Sequence, residues 1–184
     1  MKVVPTQLPG VVVIEPTVHR DARGFFLETY HAPRYREAGI PESFVQDNHS
    51  ASERGVLRGL HGQSPKVQGK LVRVIEGEIY DVAVDVRRGS PAYGRFHATR
   101  LSAENHRQLY VPPGLLHGFL VTSEVAQVEY KCTTVYDAAA EFSVSWNDPA
   151  LGIPWPIAEP LLSDKDRTAP RLAEVQDRLI DYVG

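Results

Sequence analysis

The chain has 184 residues, with 20 Lys and Arg against 23 Asp and Glu, a formal net charge of −3 and a single cysteine. That length suits one domain over 1–184, long enough to bury a sizeable core. No long basic block is present to attract nucleic acid, and Cys132 alone excludes an intrachain disulfide framework and fits a reducing, cytoplasmic compartment. The longest apolar run near the start, 11–14, is too short for a signal-peptide core or a membrane span, so no membrane partner is expected.

Gly and Pro are spread evenly and punctuate short strands rather than marking a linker. In chain order, strands are expected at 24–30, 44–48, 56–63, 70–75, 79–86, 95–101, 108–112, 116–122, 127–134 and 142–146. Two of these show clear period-two alternation. Tyr80, Val82, Val84 and Val86 share one face and Asp81, Ala83 and Asp85 the other, predicting a half-buried strand. Val128, Tyr130, Cys132 and Thr134 alternate with polar neighbours, which puts a tyrosine on the inner face. The strands 70–75 and 79–86, joined by Glu76-Gly77-Glu78, read as a hairpin. Helix is expected only at 33–38 and 171–182, the latter with an apolar stripe of Leu172, Val175, Leu179, Ile180 and Val183 that packs it onto the body or onto a partner subunit. Many short, evenly spaced strands predict an all-β jelly roll with short peripheral helices.

Chemistry concentrates in two places. GVLRGLHGQSPKVQGK (55–70) sets His61, Gln63, Arg58 and Lys70 on a glycine-rich run, and YVPPGLLHGF (110–119) adds His117 after a tight turn. Imidazoles, an amide and two cations are equipment for moving protons and holding an anion. The spacing resembles the two halves of a cupin metal signature. However, the first half reads His61-Gly62-Gln63 with no Glu until Glu76, and an amide is a weak substitute for imidazole or carboxylate. The reading is a cupin-like double-stranded β-helix without its metal and without a cofactor.

The order of further strings resembles the dTDP-4-dehydrorhamnose 3,5-epimerase family. These are DARGFFLETY (21–30), FVQDNHS (44–50), GVLRGLHGQ (55–63), QGKLVRVIEGEIYDVAVDVR (68–87), GSPAYG (89–94), LSAEN (101–105), VPPGLLHGF (111–119), VEYKCT (128–133), SWNDPALGIPWP (145–156) and LSDKD (162–166). The resemblance implies a homodimeric jelly roll with one site per subunit. It implies His61 as base, supported by Asp166, Tyr130 as acid, and Lys70 beside the substrate's C4 oxygen. His117 would line the sugar pocket and Tyr136 would stack on thymine, while Arg23, Glu28, Gln46, Asp47, Asn48, Arg58, Glu141 and Lys165 would contact substrate. One departure is Gly62, where the family generally has a bulky aromatic; it bears on the adjacent pocket wall.

The implied reaction inverts C3 and C5 of dTDP-4-dehydro-6-deoxy-D-glucose. Both carbons flank a ketone, so their protons are acidified and no redox cofactor is required. Three rivals stay open: a single-centre epimerase of another dTDP-4-keto-6-deoxyhexose pathway, a metal-dependent cupin enzyme, and a sugar-nucleotide binder without turnover.

Overall fold

The computed structural model describes residues 1–183. In chain order it contains β1 (Lys2–Pro5), β2 (Val12–Glu15), β3 (Val18–Asp21), β4 (Gly24–Leu27), α1 (Ala32–Glu37), β5 (Gln46–Glu53), β6 (Leu57–Gln63), β7 (Lys70–Glu76) and β8 (Glu78–Val84). There follow β9 (Phe96–Ser102), β10 (Gln108–Val111), β11 (Leu116–Val121), β12 (Val125–Cys132), β13 (Glu141–Ser143) and α2 (Asp164–Arg167). Each expected strand is present with shifted ends. The four-residue strands β1 to β3 are additional, because so short a run between prolines shows no periodicity.

The strands form an antiparallel jelly roll. One six-stranded sheet has the order β1-β2-β10-β7-β12-β5, a five-stranded sheet has β13-β6-β11-β8-β9, and β3 and β4 form a separate ribbon. The two large sheets face each other across a core of Val72, Val74, Leu109 and Val128 from one and Ile79, Ala83, Phe119 and Val121 from the other. Outside the six-stranded sheet, Ile14, Leu71 and Tyr110 are covered by Tyr35 and Ile40 from α1 and its exit. Helix α1 starts where His31 Nδ1 accepts the Arg34 N–H, with Pro33 in the first turn.

The structure corrects three expectations. First, β7 and β8 are not a hairpin: β7 lies between β10 and β12 in one sheet, while β8 lies between β11 and β9 in the other. Gly77 turns the corner at φ +76, and a Cβ there would sit 2.0 Å from the Val125 carbonyl oxygen, so only glycine fits. Second, β8 is buried on both faces rather than half-buried. Its apolar face, with Val82 and Val84, meets Leu60, Leu116, Leu151, Leu172 and Leu179 outside the barrel, and Asp81 and Ala83 point inward, both fully buried. Third, 171–182 is not an α-helix but two 3-10 turns, Leu172–Glu174 and Gln176–Arg178. Other bonds replace the helical ladder: the Leu172 carbonyl accepts from the Val175 N–H at 3.3 Å and from Gln176 Nε2 at 2.7 Å, and the strand-like end pairs with Arg88 through Ile180 and Tyr182. Leu172, Val175 and Leu179 still pack on the barrel as expected, whereas Val183 is 89% exposed.

Candidate active site

A cavity of about 660 Å³ opens between the two large sheets, lined by Arg58, His61, Lys70, His117, Tyr130, Glu141, Ser163, Lys165 and Asp166, with Val56, Leu57, Phe119, Leu161 and Leu162 as apolar wall. The strands decide which side chains arrive. His61 on β6 and His117 on β11 are direct cross-strand partners in the five-stranded sheet. Lys70 and Tyr130, on neighbouring strands β7 and β12, come from the six-stranded sheet opposite. The imidazoles therefore face the lysine and the phenol across the barrel. Close approach of β6 to β11 requires glycine on both strands, since a Cβ on Gly59 would lie 2.6 Å from Gly118 Cα and one on Gly118 would lie 2.9 Å from the Arg58 oxygen.

His61 Nε2 donates to Asp166 Oδ1 at 2.6 Å. Asp166 is 3% exposed and sits in the first turn of α2, where Ser163 caps the helix by accepting the Asp166 N–H at 3.1 Å. Burial opposes ionisation of that carboxyl, but the hydrogen bond and charge of His61, with help from Ser163, hold it below the usual carboxylate range. An ionised carboxylate can only accept, which fixes the proton on Nε2 and leaves Nδ1 of His61 as the free basic nitrogen. His117 Nε2 is bound in the same manner to Asp81, at 2.9 and 3.1 Å to its two oxygens, with both residues buried. Sequence reasoning does not single out Asp81. Its only signal is that of an acid on the small polar face of β8.

Burial pushes the Lys70 ammonium down in pKa, opposed by nearby Cys132, Glu141 and Asp81. Among the described residues Lys70 has no ion-pair partner, so its Nζ is left to meet an oxygen arriving in the cavity. Burial pushes the Tyr130 phenol up, so it carries its proton at neutral pH. At the rim, Glu141 bridges Lys165 Nζ at 2.8 Å and the Tyr136 hydroxyl at 3.1 Å. Burial opposes ionisation of Glu141, yet Lys165 lowers its pKa, and the same bond to Glu141 raises that of Tyr136. Arg58 extends from the cavity edge and donates to Ser52 Oγ.

The remaining expected contacts lie outside the cavity. Gln46 and Asn48 share one face of β5, linked by a 3.0 Å bond, and Asn48 is the cross-strand partner of Tyr130. Asp47 points to the opposite face and pairs with Lys131 at 2.9 Å, as the two-residue period of a strand demands. Arg23, at the β3–β4 turn, is held by Asp21, and Glu28 pairs with Arg34 at 2.7 Å. Gly62 does not shape the cavity wall. It faces the other way, where a Cβ would meet Leu116 Cδ2 and Phe142 Cε1 at 2.9 Å. Among the described residues no three His, Cys, Asp or Glu side chains converge as a metal site.

A family model described as dTDP-4-dehydrorhamnose 3,5-epimerase matches residues 5–174. A dTDP-4-dehydrorhamnose 3,5-epimerase from Pseudomonas aeruginosa is 52% identical over 176 residues, covering 95% of this chain and 97% of that one. A dTDP-4-dehydrorhamnose 3-epimerase from Streptomyces niveus is 42% identical, over 96% of this chain and 86% of its own. The crystal structure of a dTDP-6-deoxy-D-glucose-3,5-epimerase from Legionella pneumophila, in complex with dTDP-4-keto-L-rhamnose, superposes with a TM-score of 0.97 at 47% identity, covering 100% and 99% of the two chains.

Proposed function

The chain belongs to the dTDP-4-dehydrorhamnose 3,5-epimerase family, and from that premise we propose that it inverts C3 and C5 of dTDP-4-dehydro-6-deoxy-D-glucose to give dTDP-4-dehydro-L-rhamnose. The observation that supports this most is the placement of His61 and Tyr130 on opposite sheets of one cavity that also holds a buried lysine. His61 Nδ1 takes the proton from the carbon beside the ketone, and the C–H electron pair moves into the ring as the C4 oxygen becomes an enolate. Lys70 meets that oxygen where charge develops, which is where preorganised charge lowers a barrier most. Tyr130 delivers a proton to the face opposite the one that lost it. His61 then carries the removed proton on Nδ1, as an imidazolium paired through Nε2 with Asp166, until solvent takes it, and solvent returns a proton to the Tyr130 phenolate. Repeating the cycle at the second carbon completes the double inversion.

Inversion at one centre is the second reading, favoured by the 42% identity to the 3-epimerase of Streptomyces niveus. One experiment separates the readings: turnover of the sugar nucleotide in deuterated water, run with and without prior dialysis against a strong chelator. Two deuterons in the product, with activity unaffected by chelation, are expected. One deuteron supports the single-centre reading, none removes the substrate class, and activity restored only by a divalent ion ends the metal-free reading.

Arg23 and Glu28 lie outside the cavity, and the hairpin carrying Arg23 also exposes Phe25 and Phe26 by 57% and 70%. An apolar pair this open on a short ribbon calls for a cover. We therefore infer a homodimer, in which these residues reach a site only through a second copy. Sedimentation at micromolar concentration is expected to give twice the chain mass, and a monomer there would count against it. The one cysteine, buried in β12, accords with a cytoplasmic location, and no helix is long and apolar enough to cross a membrane.

A further inference from the structure

Two side chains that the reaction does not use, Gln63 and Arg178, hold the loop 135–140 and the start of β13, and we propose that they are positioning residues for the nucleotide end of the substrate. This rests on the reading of Tyr136 as the platform for the base. Gln63 is 6% exposed at the end of β6. Its Nε2 donates to the Lys66 oxygen at 2.9 Å and the Val135 oxygen at 3.4 Å, and its Oε1 accepts the Asp137 N–H at 3.0 Å. One amide thus binds the peptide groups on both sides of Tyr136.

Arg178 grips the far end of the same loop. Its Nη2 faces the carbonyl oxygens of Ala140 at 3.0 Å and Glu141 at 3.3 Å, with those of Ala139 and Ser64 at 3.4 Å. Its guanidinium also lies 5.7 Å from the Phe142 ring centroid. Gly62 contributes by having no side chain: Phe142 occupies the space a Cβ would need, and so comes to lie under Arg178.

The loop needs such anchors because packing does not hold it. Val135 and Tyr136 are 56% and 55% exposed. An aromatic platform on a loose loop must be ordered when its ligand binds, and that ordering weakens binding. Backbone bonds from Gln63 and Arg178 order it beforehand. An amide both donates and accepts, which suits a carbonyl and an N–H flanking one residue, whereas arginine only donates and suits a cluster of carbonyls. Gln63 is also two residues from His61 on the same face of β6. One strand therefore carries the proposed base and sets the register of the nucleotide platform.

The test is calorimetric titration of thymidine diphosphate into wild type, Gln63→Met, Arg178→Ala and Arg178→Lys, with KM and kcat for the sugar nucleotide. In Gln63→Met and Arg178→Ala the Kd and KM are expected to rise by up to roughly 5- to 150-fold, the range for losing a stacked base. At saturation kcat should stay within about twofold, because neither Gln63 nor Arg178 is hydrogen-bonded to His61, Tyr130 or Lys70. Arg178→Lys should recover part of the affinity. Adding Gln63→Met to Tyr136→Ala should weaken binding no further, since the group it positions is already gone. Should Gln63→Met fail to fold, the partly exposed Arg178 decides alone. Unchanged Kd in folded Arg178→Ala overturns the proposal, as does a fall in kcat at constant KM or full additivity with Tyr136→Ala. Wild type that binds thymidine diphosphate without turning over the sugar overturns the proposed reaction instead and leaves this inference standing.

Discussion

His61→Asn is expected to stop epimerisation and, at the same time, the entry of solvent deuterium at C3 and C5. Without a base at that position no enolate forms, and loss of a general base lowers rate by about 10² to 10⁴. Binding of thymidine diphosphate should survive, since the nucleotide end is held by other residues. The substitution also leaves the buried Asp166 without its imidazole. In wild type the carboxyl of Asp166 is held below its ordinary value, so its contribution to stability is present above the unfolded carboxylate pKa and lost as pH falls through the lowered folded one. In the variant, burial is left opposing ionisation, and the stability deficit should be largest near neutral pH, about 1 to 3 kcal/mol for an unpaired buried acceptor. It should shrink in acid as the carboxyl takes a proton. Thermal melts at neutral and acid pH check the deficit, and isotope analysis of recovered sugar nucleotide checks the chemistry. Deuterium entering at the wild-type rate in folded His61→Asn would assign the base elsewhere, with His117 and its partner Asp81 the next group to examine.

Tyr130→Phe should separate exchange from inversion. With His61 and Lys70 intact the enolate still forms, and His61 can return a proton to the face it came from. Solvent deuterium is therefore expected to enter while net inversion falls by about 10² to 10⁴, the usual value of one acid in the transition state. The phenol has a raised pKa from burial, so the variant removes a proton donor and leaves the charge of the site at neutral pH unchanged. Losing one hydroxyl at a cavity surface should move stability little, which keeps the comparison with His61→Asn clean. Full inversion by Tyr130→Phe at the wild-type rate would falsify the assignment of acid and base to opposite sheets.

Much of this cavity is legible in the motif strings alone. His61, Lys70, His117, Tyr130, Lys165 and Asp166 all stand within those strings, and all line one cavity, joined by Glu141 from between two of the strings. What the strings do not reveal is how each is held. An aspartate at 166 suits the capping of a turn equally well, and the structure gives that task to Ser163, freeing the carboxylate for His61. Gln63 reads as a failed metal ligand, yet its amide is spent on the backbone around Tyr136. Arg178 lies beyond every recognisable motif and meets its carbonyls only because the C-terminal segment folds back over β6 and β13.

Strand positions follow from the chain's own local pattern, because period-two alternation and turn residues act over a few neighbouring positions. The residue types at the site follow in the same way, because their chemistry is carried by identity and order. Which strand pairs with which, and which face looks inward, depends instead on long-range partners. A strand has two hydrogen-bonding edges, and those of β7 are taken by β10 and β12, distant in sequence, which is why the apparent hairpin with β8 does not form. The alternation in β8 likewise says that Val82 and Asp81 face opposite ways without saying which faces the barrel. The C-terminal turns supply apolar cover for the valines outside, and His117 supplies a partner for Asp81 inside. Contacts with these distant segments turn the polar face toward the cavity.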